Sequence, residues 1–136
     1  MEKLGIIKLS YSNIKSLCFI LDNLNIDYDI LNEATEVKKY KKIVLPGTSS
    51  FKTAMEDLKI RSFDKAIIDH VKSDGYLLGI CIGMQLLFSY GSEGGIINGL
   101  DLIKGKVVPI NGNCSDGEIF HIGWNDIIIQ NNIELL

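Results

Sequence analysis

Tyr76-Leu77-Leu78-Gly79-Ile80-Cys81-Ile82-Gly83 runs from an unbroken apolar segment straight into a cysteine held between two glycines. The run from Tyr76 to Ile80 is of the kind a parallel strand covered on both faces requires. Helical spacing resumes at once through Met84, Leu86, Leu87 and Phe88. A strand, a tight turn and a helix with a nucleophilic side chain at the turn form a nucleophile elbow, whose small flanking residues permit close approach and a strained backbone. The turn aims Cys81 at the first free N–H groups of the helix, which with the helix dipole stabilise negative charge on a thiolate or an oxyanion. A buried cysteine filling a small space beside two glycines is the competing reading, and so short a motif does not separate the two. Its place at the C-terminal end of a parallel strand, where ligands bind in open α/β sheets, favours the elbow.

Outward from the elbow, strands and helices alternate. Leu4 to Leu9 fits a buried strand, and Tyr11-Ser12-Asn13 follows with turn and capping chemistry. Ile14, Leu17, Cys18, Leu21 and Leu24 recur at three and four, the mark of a helix with one buried face. Tyr28 to Leu31 and Lys42 to Leu45 read as strands, the latter closed by Pro46-Gly47. Phe51 to Leu58 and Phe63 to Val71 carry helical spacing, with His70 in a packing role on the second stripe. After a loop at Gly91 to Gly95, Leu102 to Ile110 and Ile119 to Ile129 read as strand-rich, Trp124 to Ile129 among them. The order predicts an α/β fold, an open and mostly parallel sheet with right-handed crossovers and helices on both faces. Residues 1–136 form one domain without repeat or linker; the tail from Ile133 to Leu136 starts an element that it does not finish, so the sheet's last strands are expected to be missing.

Composition narrows the function. With 136 residues, 46% hydrophobic, 23% charged and a formal net charge of −3, the chain has the makeup of a globular domain able to bury a core. Mild acidity offers no basic footprint, so neither nucleic acid nor an anionic membrane is an expected partner. No apolar stretch approaches the roughly 20 residues of a bilayer span, and the N-terminus lacks a secretory signal, which makes the cytoplasm the expected location. Cys18, Cys81 and Cys114 are odd in number and widely spaced, against a disulfide framework or a zinc cluster. No metal or cofactor is expected.

The segment Gly79-Ile80-Cys81-Ile82-Gly83-Met84-Gln85-Leu86-Leu87-Phe88 resembles the nucleophile segment of class I glutamine amidotransferases, which have a flavodoxin-like fold. More narrowly it resembles that of the glutaminase subunits of imidazole glycerol phosphate synthases, which serve histidine biosynthesis. Three further segments stand in the matching order: Leu45-Pro46-Gly47-Thr48-Ser49-Ser50-Phe51 is similar to the oxyanion loop, Gly99-Leu100 through Lys104-Gly105-Lys106-Val107 to a later strand, and His121-Ile122-Gly123-Trp124-Asn125 to the subunit interface. The resemblance implies that Cys81 attacks the side-chain amide of L-glutamine, forming a thioester, and that ammonia passes to a barrel-shaped cyclase subunit in a heterodimer. It implies substrate-binding roles for Gly47, Gln85 and Glu93, and an oxyanion hole from the backbone of Ile82 and of Thr48 or Ser49. It also implies a place at the partner interface for Asn13, His121, Trp124 and Asn125. Taken alone, Gln85 reads as a solvated helix residue, Glu93 as a solvent-facing charge in a Gly-rich loop, and Trp124 equally as core.

The chain also departs from that family. Where the loop usually reads Pro-Gly-Val-Gly-Ser-Phe, this chain has Thr48 and Ser49, and a Cβ at Ser49 penalises positive φ. An N-terminal Asp-Tyr-Gly-x-Gly-Asn run is replaced by Leu9-Ser10-Tyr11-Ser12-Asn13. A thiol nucleophile of this kind calls for a histidine base and an orienting carboxylate. The family draws both from a His-Pro-Glu segment, which this sequence, with two histidines and two prolines, does not contain. Slow turnover by the chain alone is therefore expected. A diverged relative supplying ammonia for surface-sugar biosynthesis and a non-catalytic module docking on a synthase are the alternative readings. A stress-response hydrolase or deglycase ranks below them, giving no reason for Met84-Gln85 or His121 to Asn125.

Overall fold

The computed structural model describes residues 2–109, 123–126 and 128. Its elements are β1 (Leu4–Ile7), α1 (Lys15–Asn23), β2 (Tyr28–Leu31), a 3-10 turn at Ala34–Lys39, β3 (Lys42–Gly47), α2 (Phe51–Ile60), α3 (Phe63–Lys72), β4 (Tyr76–Cys81), α4 (Ile82–Gln85), β5 (Phe88–Gly91), β6 (Ile97–Asn98) and β7 (Ile103–Val107). Among the described residues, β1 to β4 form a parallel sheet in the order β2-β1-β3-β4. The chain moves outward from β1 to β2, then crosses back to β3 and on to β4. Right-handed crossovers in opposite directions put α1 on one face and α2 with α3 on the other.

The period of two along the strands divides the core accordingly. Ile6 packs with Ile14 and Leu21 of the α1 layer. Its neighbour Ile7 points the other way, joining Leu31, Ile43 and Leu45 against Phe51, Met55, Leu58, Phe63 and Ile67. Phe51 and Phe63 are fully buried, each contributing about 2–3 kcal/mol of apolar burial. Ser50 caps α2, its Oγ accepting the Thr53 N–H at 3.2 Å. Ser62, at φ 59°, turns the chain from α2 into α3.

Three expectations need correction. The helix after Cys81 is a single turn, and Phe88 begins a strand instead of ending a helix. The carbonyls of Leu86, Leu87 and Phe88 are taken by the amides of residues 100–103, as in Leu100 N–H to Leu86 O at 2.8 Å and Leu102 N–H to Leu87 O at 2.9 Å, so no helical ladder continues. β4 is not covered on both faces among the described residues: Tyr76, Leu78 and Ile80, all on one face, remain 63%, 47% and 38% exposed. Trp124, Asn125, Asp126 and Ile128, expected in a strand, have no regular structure, and Trp124 is fully exposed at 103%, which removes the core reading for it. The rest of the Ile119 to Ile129 segment lies outside the described residues. No helix among them is long and apolar enough to cross a membrane.

Candidate active site

Cys81 ends β4 and stands at the N-cap of α4 with φ 56° and ψ −119°. A non-glycine residue in this sparsely populated region costs roughly 1–3 kcal/mol and persists only where its surroundings enforce it. The enforcement is visible on both sides. A β-carbon at Gly79 would lie 2.6 Å from Met84 Cα and 2.7 Å from Met84 N, and one at Gly83 would run into the Leu45 carbonyl. The two glycines of the motif therefore let α4 fold back against β4 and β3. The Cys81 side chain is exposed at the C-terminal end of the sheet.

β3 delivers the second wall. Gly47 pairs with Cys81 in the parallel register, and a β-carbon on it would sit 3.3 Å from Ile82 Cβ and 3.4 Å from Gly83 N. Residues 48–50 then bridge to α2. Thr48 Oγ1 donates to the Tyr11 carbonyl at 2.7 Å, spanning the gap between the ends of β1 and β3 where the strand order reverses. Ligands bind at such switch points in open α/β sheets. Ser49 is half-buried and has no positive φ, so its Cβ is accommodated in the backbone as it stands.

Gln85 is half-buried, one turn after Cys81 on α4. Glu93 lies in the turn between β5 and β6 and takes the Phe51 N–H on its Oε2 at 2.8 Å, a contact with the start of α2 that its place in a Gly-rich loop did not reveal. Ile82 is buried and begins α4. Asn13 is exposed, its Oδ1 accepting the Lys15 N–H at 3.3 Å at the start of α1. Trp124 and Asn125 are exposed. His121 lies outside the described residues.

His70 is buried in the packing role expected of it, its Nε2–H donating to the Tyr76 carbonyl at 3.2 Å. Tyr76 opens the strand that Cys81 closes, about 16 Å further along β4, so His70 is bonded to the end of that strand opposite the thiol. A network missed in the sequence supports the other side of the site. Buried Asp57 on α2 accepts from Ser10 N–H and Ser10 Oγ, both at 2.7 Å, and Arg61 donates to the carbonyls of Lys8 and Asn32, both at 2.6 Å. These bonds hold the loop 8–13 that carries Tyr11 and Asn13.

A family model for the CobB/CobQ-like glutamine amidotransferase domain matches residues 7–113. The imidazole glycerol phosphate synthase subunit HisH of Geobacillus sp. (strain WCH70) is 38% identical over 136 residues, covering 98% of this chain and 64% of that protein. Its counterpart in Oceanobacillus iheyensis is 39% identical over 127 residues, covering 93% and 62%. The chain thus spans a little under two thirds of the length of these relatives. A solved glutamine amidotransferase superposes with a TM-score of 0.56 at 17% identity, over 65% of this chain and 46% of that one, a likeness of fold. Elbow, sheet order and family model agree: the chain belongs to the class I glutamine amidotransferases.

Proposed function

We propose that this chain carries the nucleophile of the glutaminase subunit of an imidazole glycerol phosphate synthase, releasing ammonia from L-glutamine for histidine biosynthesis. The observation that carries the chemistry is Cys81, exposed and held at positive φ between the end of strand β4 and a one-turn helix. Cys81 Sγ attacks the side-chain amide carbon of glutamine. The C=O electron pair becomes an oxyanion beside the backbone N–H groups of Ile82 and of Thr48 or Ser49, and its return expels the amide nitrogen, protonated, as ammonia. Water then cleaves the thioester, restoring the thiol and releasing glutamate. In this reading Gly47 lines the substrate pocket, and Gln85 and Glu93 hold the polar groups of the substrate.

Each proton transfer calls for a base, and His70 is at the wrong end of the sheet. Turnover by the chain alone is slow under this reading, while Cys81 still reacts with electrophiles shaped like glutamine. The ammonia acceptor is a barrel-shaped cyclase subunit docked on Asn13, His121, Trp124 and Asn125 in a cytoplasmic heterodimer. Full exposure of Trp124 supports this, since Trp is enriched at interface hot spots. The same exposure favours, as a second reading, a docking module that does not hydrolyse glutamine. Glutamate release and cyclase binding measured together separate them. Slow release abolished by Cys81→Ala with the cyclase bound supports the enzyme, binding with no Cys81-dependent release supports the module, and fast release by the chain alone contradicts the need for a further base.

A further inference from the structure

We infer that Glu93 is a positioning residue for the loop 48–50, holding it through the first amide of α2; the catalytic consequence, though not the geometry, rests on the amidotransferase reading above. Three contacts converge on Phe51. Its N–H donates to Glu93 Oε2 at 2.8 Å. Its fully buried ring lies so near Gly91 that a β-carbon there would be 2.7 Å from it, and a β-carbon at Gly99 would stand 3.3 Å from its Cζ. Gly91 closes β5, Gly99 follows β6, and Glu93 is in the turn between the two strands. The hairpin therefore grips Phe51 by backbone and ring together.

The Phe51 amide is one of the donors that a helix start leaves without an intrahelical acceptor, and a carboxylate there also meets the positive end of the helix dipole. Ser50 satisfies a second such donor, on Thr53. At its other end the loop leaves Gly47, which is locked to Cys81 by the sheet register. Three residues remain between two fixed points, and Thr48 and Ser49 are among them. Where their amides stand relative to the Cys81 sulfur is consequently set by the hairpin through Glu93. A residue that only met the charge of a substrate has no need of this contact.

Glu93→Gln keeps an oxygen acceptor at the same reach and removes the charge, whereas Glu93→Ala removes both. Two readouts on the full chain test the inference: hydrogen exchange at the Phe51 amide, and alkylation of Cys81 by a diazoketone analogue of L-glutamine, resolved into a saturation constant and a maximal rate. Glu93→Ala is expected to speed Phe51 exchange about tenfold, with amides of β1 and β3 unchanged, and to lower the maximal rate by a similar factor. Glu93→Gln is expected to keep both within about threefold while the saturation constant rises. Unchanged Phe51 exchange in Glu93→Ala, or equal loss of maximal rate in both variants, overturns the inference. If wild-type Cys81 instead shows no preference for the analogue over iodoacetamide, the amidotransferase reading fails, and Phe51 exchange still decides whether Glu93 is the clamp.

Discussion

Gly83 rests against the backbone of Leu45 with no room for a β-carbon between them. The obstruction is a carbonyl in the middle of the buried strand β3, which cannot rotate away as a side chain does. Gly83→Ala is therefore expected to destabilise the fold by about 3 kcal/mol or more, with a matching drop in the denaturation midpoint. Gly123→Ala serves as the control: among the described residues nothing stands within 4 Å of a β-carbon there, and the change is expected to stay within about 0.5 kcal/mol.

Asp57 has both carboxylate oxygens engaged by Ser10, and Arg61 Nη1 stands 3.7 Å from its Oδ2. Asp57→Ala strips the loop 8–13 of two charge-assisted hydrogen bonds and is expected to cost about 2 kcal/mol. Asp57→Asn keeps one acceptor and is expected to cost less. Equilibrium unfolding gives the totals, and faster amide exchange at Ser10 locates the loss.

Ser49 occupies its place without positive φ, where the family commonly has a glycine. Ser49→Gly widens the backbone freedom of the unfolded chain and is expected to cost about 0.5–1 kcal/mol. It also opens positive φ to the loop that follows Gly47, the register partner of Cys81. Alkylation of Cys81 by the glutamine analogue is expected to quicken several-fold, and an unchanged rate would mean that the loop acts in the conformation it has here.

Asp29 accepts from the Tyr40 hydroxyl at 2.9 Å and from Lys3 at 3.1 Å. The hydrogen bond from Tyr40, then that from Lys3, hold its carboxyl below the ordinary value of 3.8, and the same bond to Asp29 holds the Tyr40 phenol above its ordinary 10.0. The folded state binds fewer protons at Asp29 than the unfolded chain, so this stabilisation is complete above the ordinary carboxylate value and is lost as pH falls through the depressed one. For Tyr40 it is complete below the ordinary phenol value and is lost as pH rises through the raised one. Asp29→Asn is expected to flatten the fall of the thermal midpoint below about pH 4, and Tyr40→Phe to flatten the fall above about pH 10.

Much of this architecture is legible from apolar spacing. Tyr28 to Leu31 is a strand with the predicted bounds, and the helices beginning at Phe51 and Phe63 run two and one residues past their predicted ends. These segments are governed by their own periodicity. The short α4 was misread because Leu86 to Phe88 keep helical spacing while their carbonyls are claimed by residues 100–103, a long-range competition that no local pattern records. Cys81 and its glycines were legible because the elbow demands small residues at fixed offsets. The contacts of Glu93 and Asp57 were not, since each joins residues more than 40 apart in the chain and a carboxylate looks the same whether it faces water or a helix end. For Trp124 the sequence left core and interface equally open, and its full exposure removes the first.

The central claim is that Cys81 is a nucleophile aimed at glutamine, and alkylation followed by peptide mass mapping tests it most directly. The chain is treated with the diazoketone analogue of L-glutamine, with and without excess glutamine. A single adduct on Cys81, suppressed by glutamine and absent from Cys81→Ala, is the predicted result. Equal modification of Cys18 or Cys114, or labelling of Cys81 that glutamine does not suppress, would contradict it.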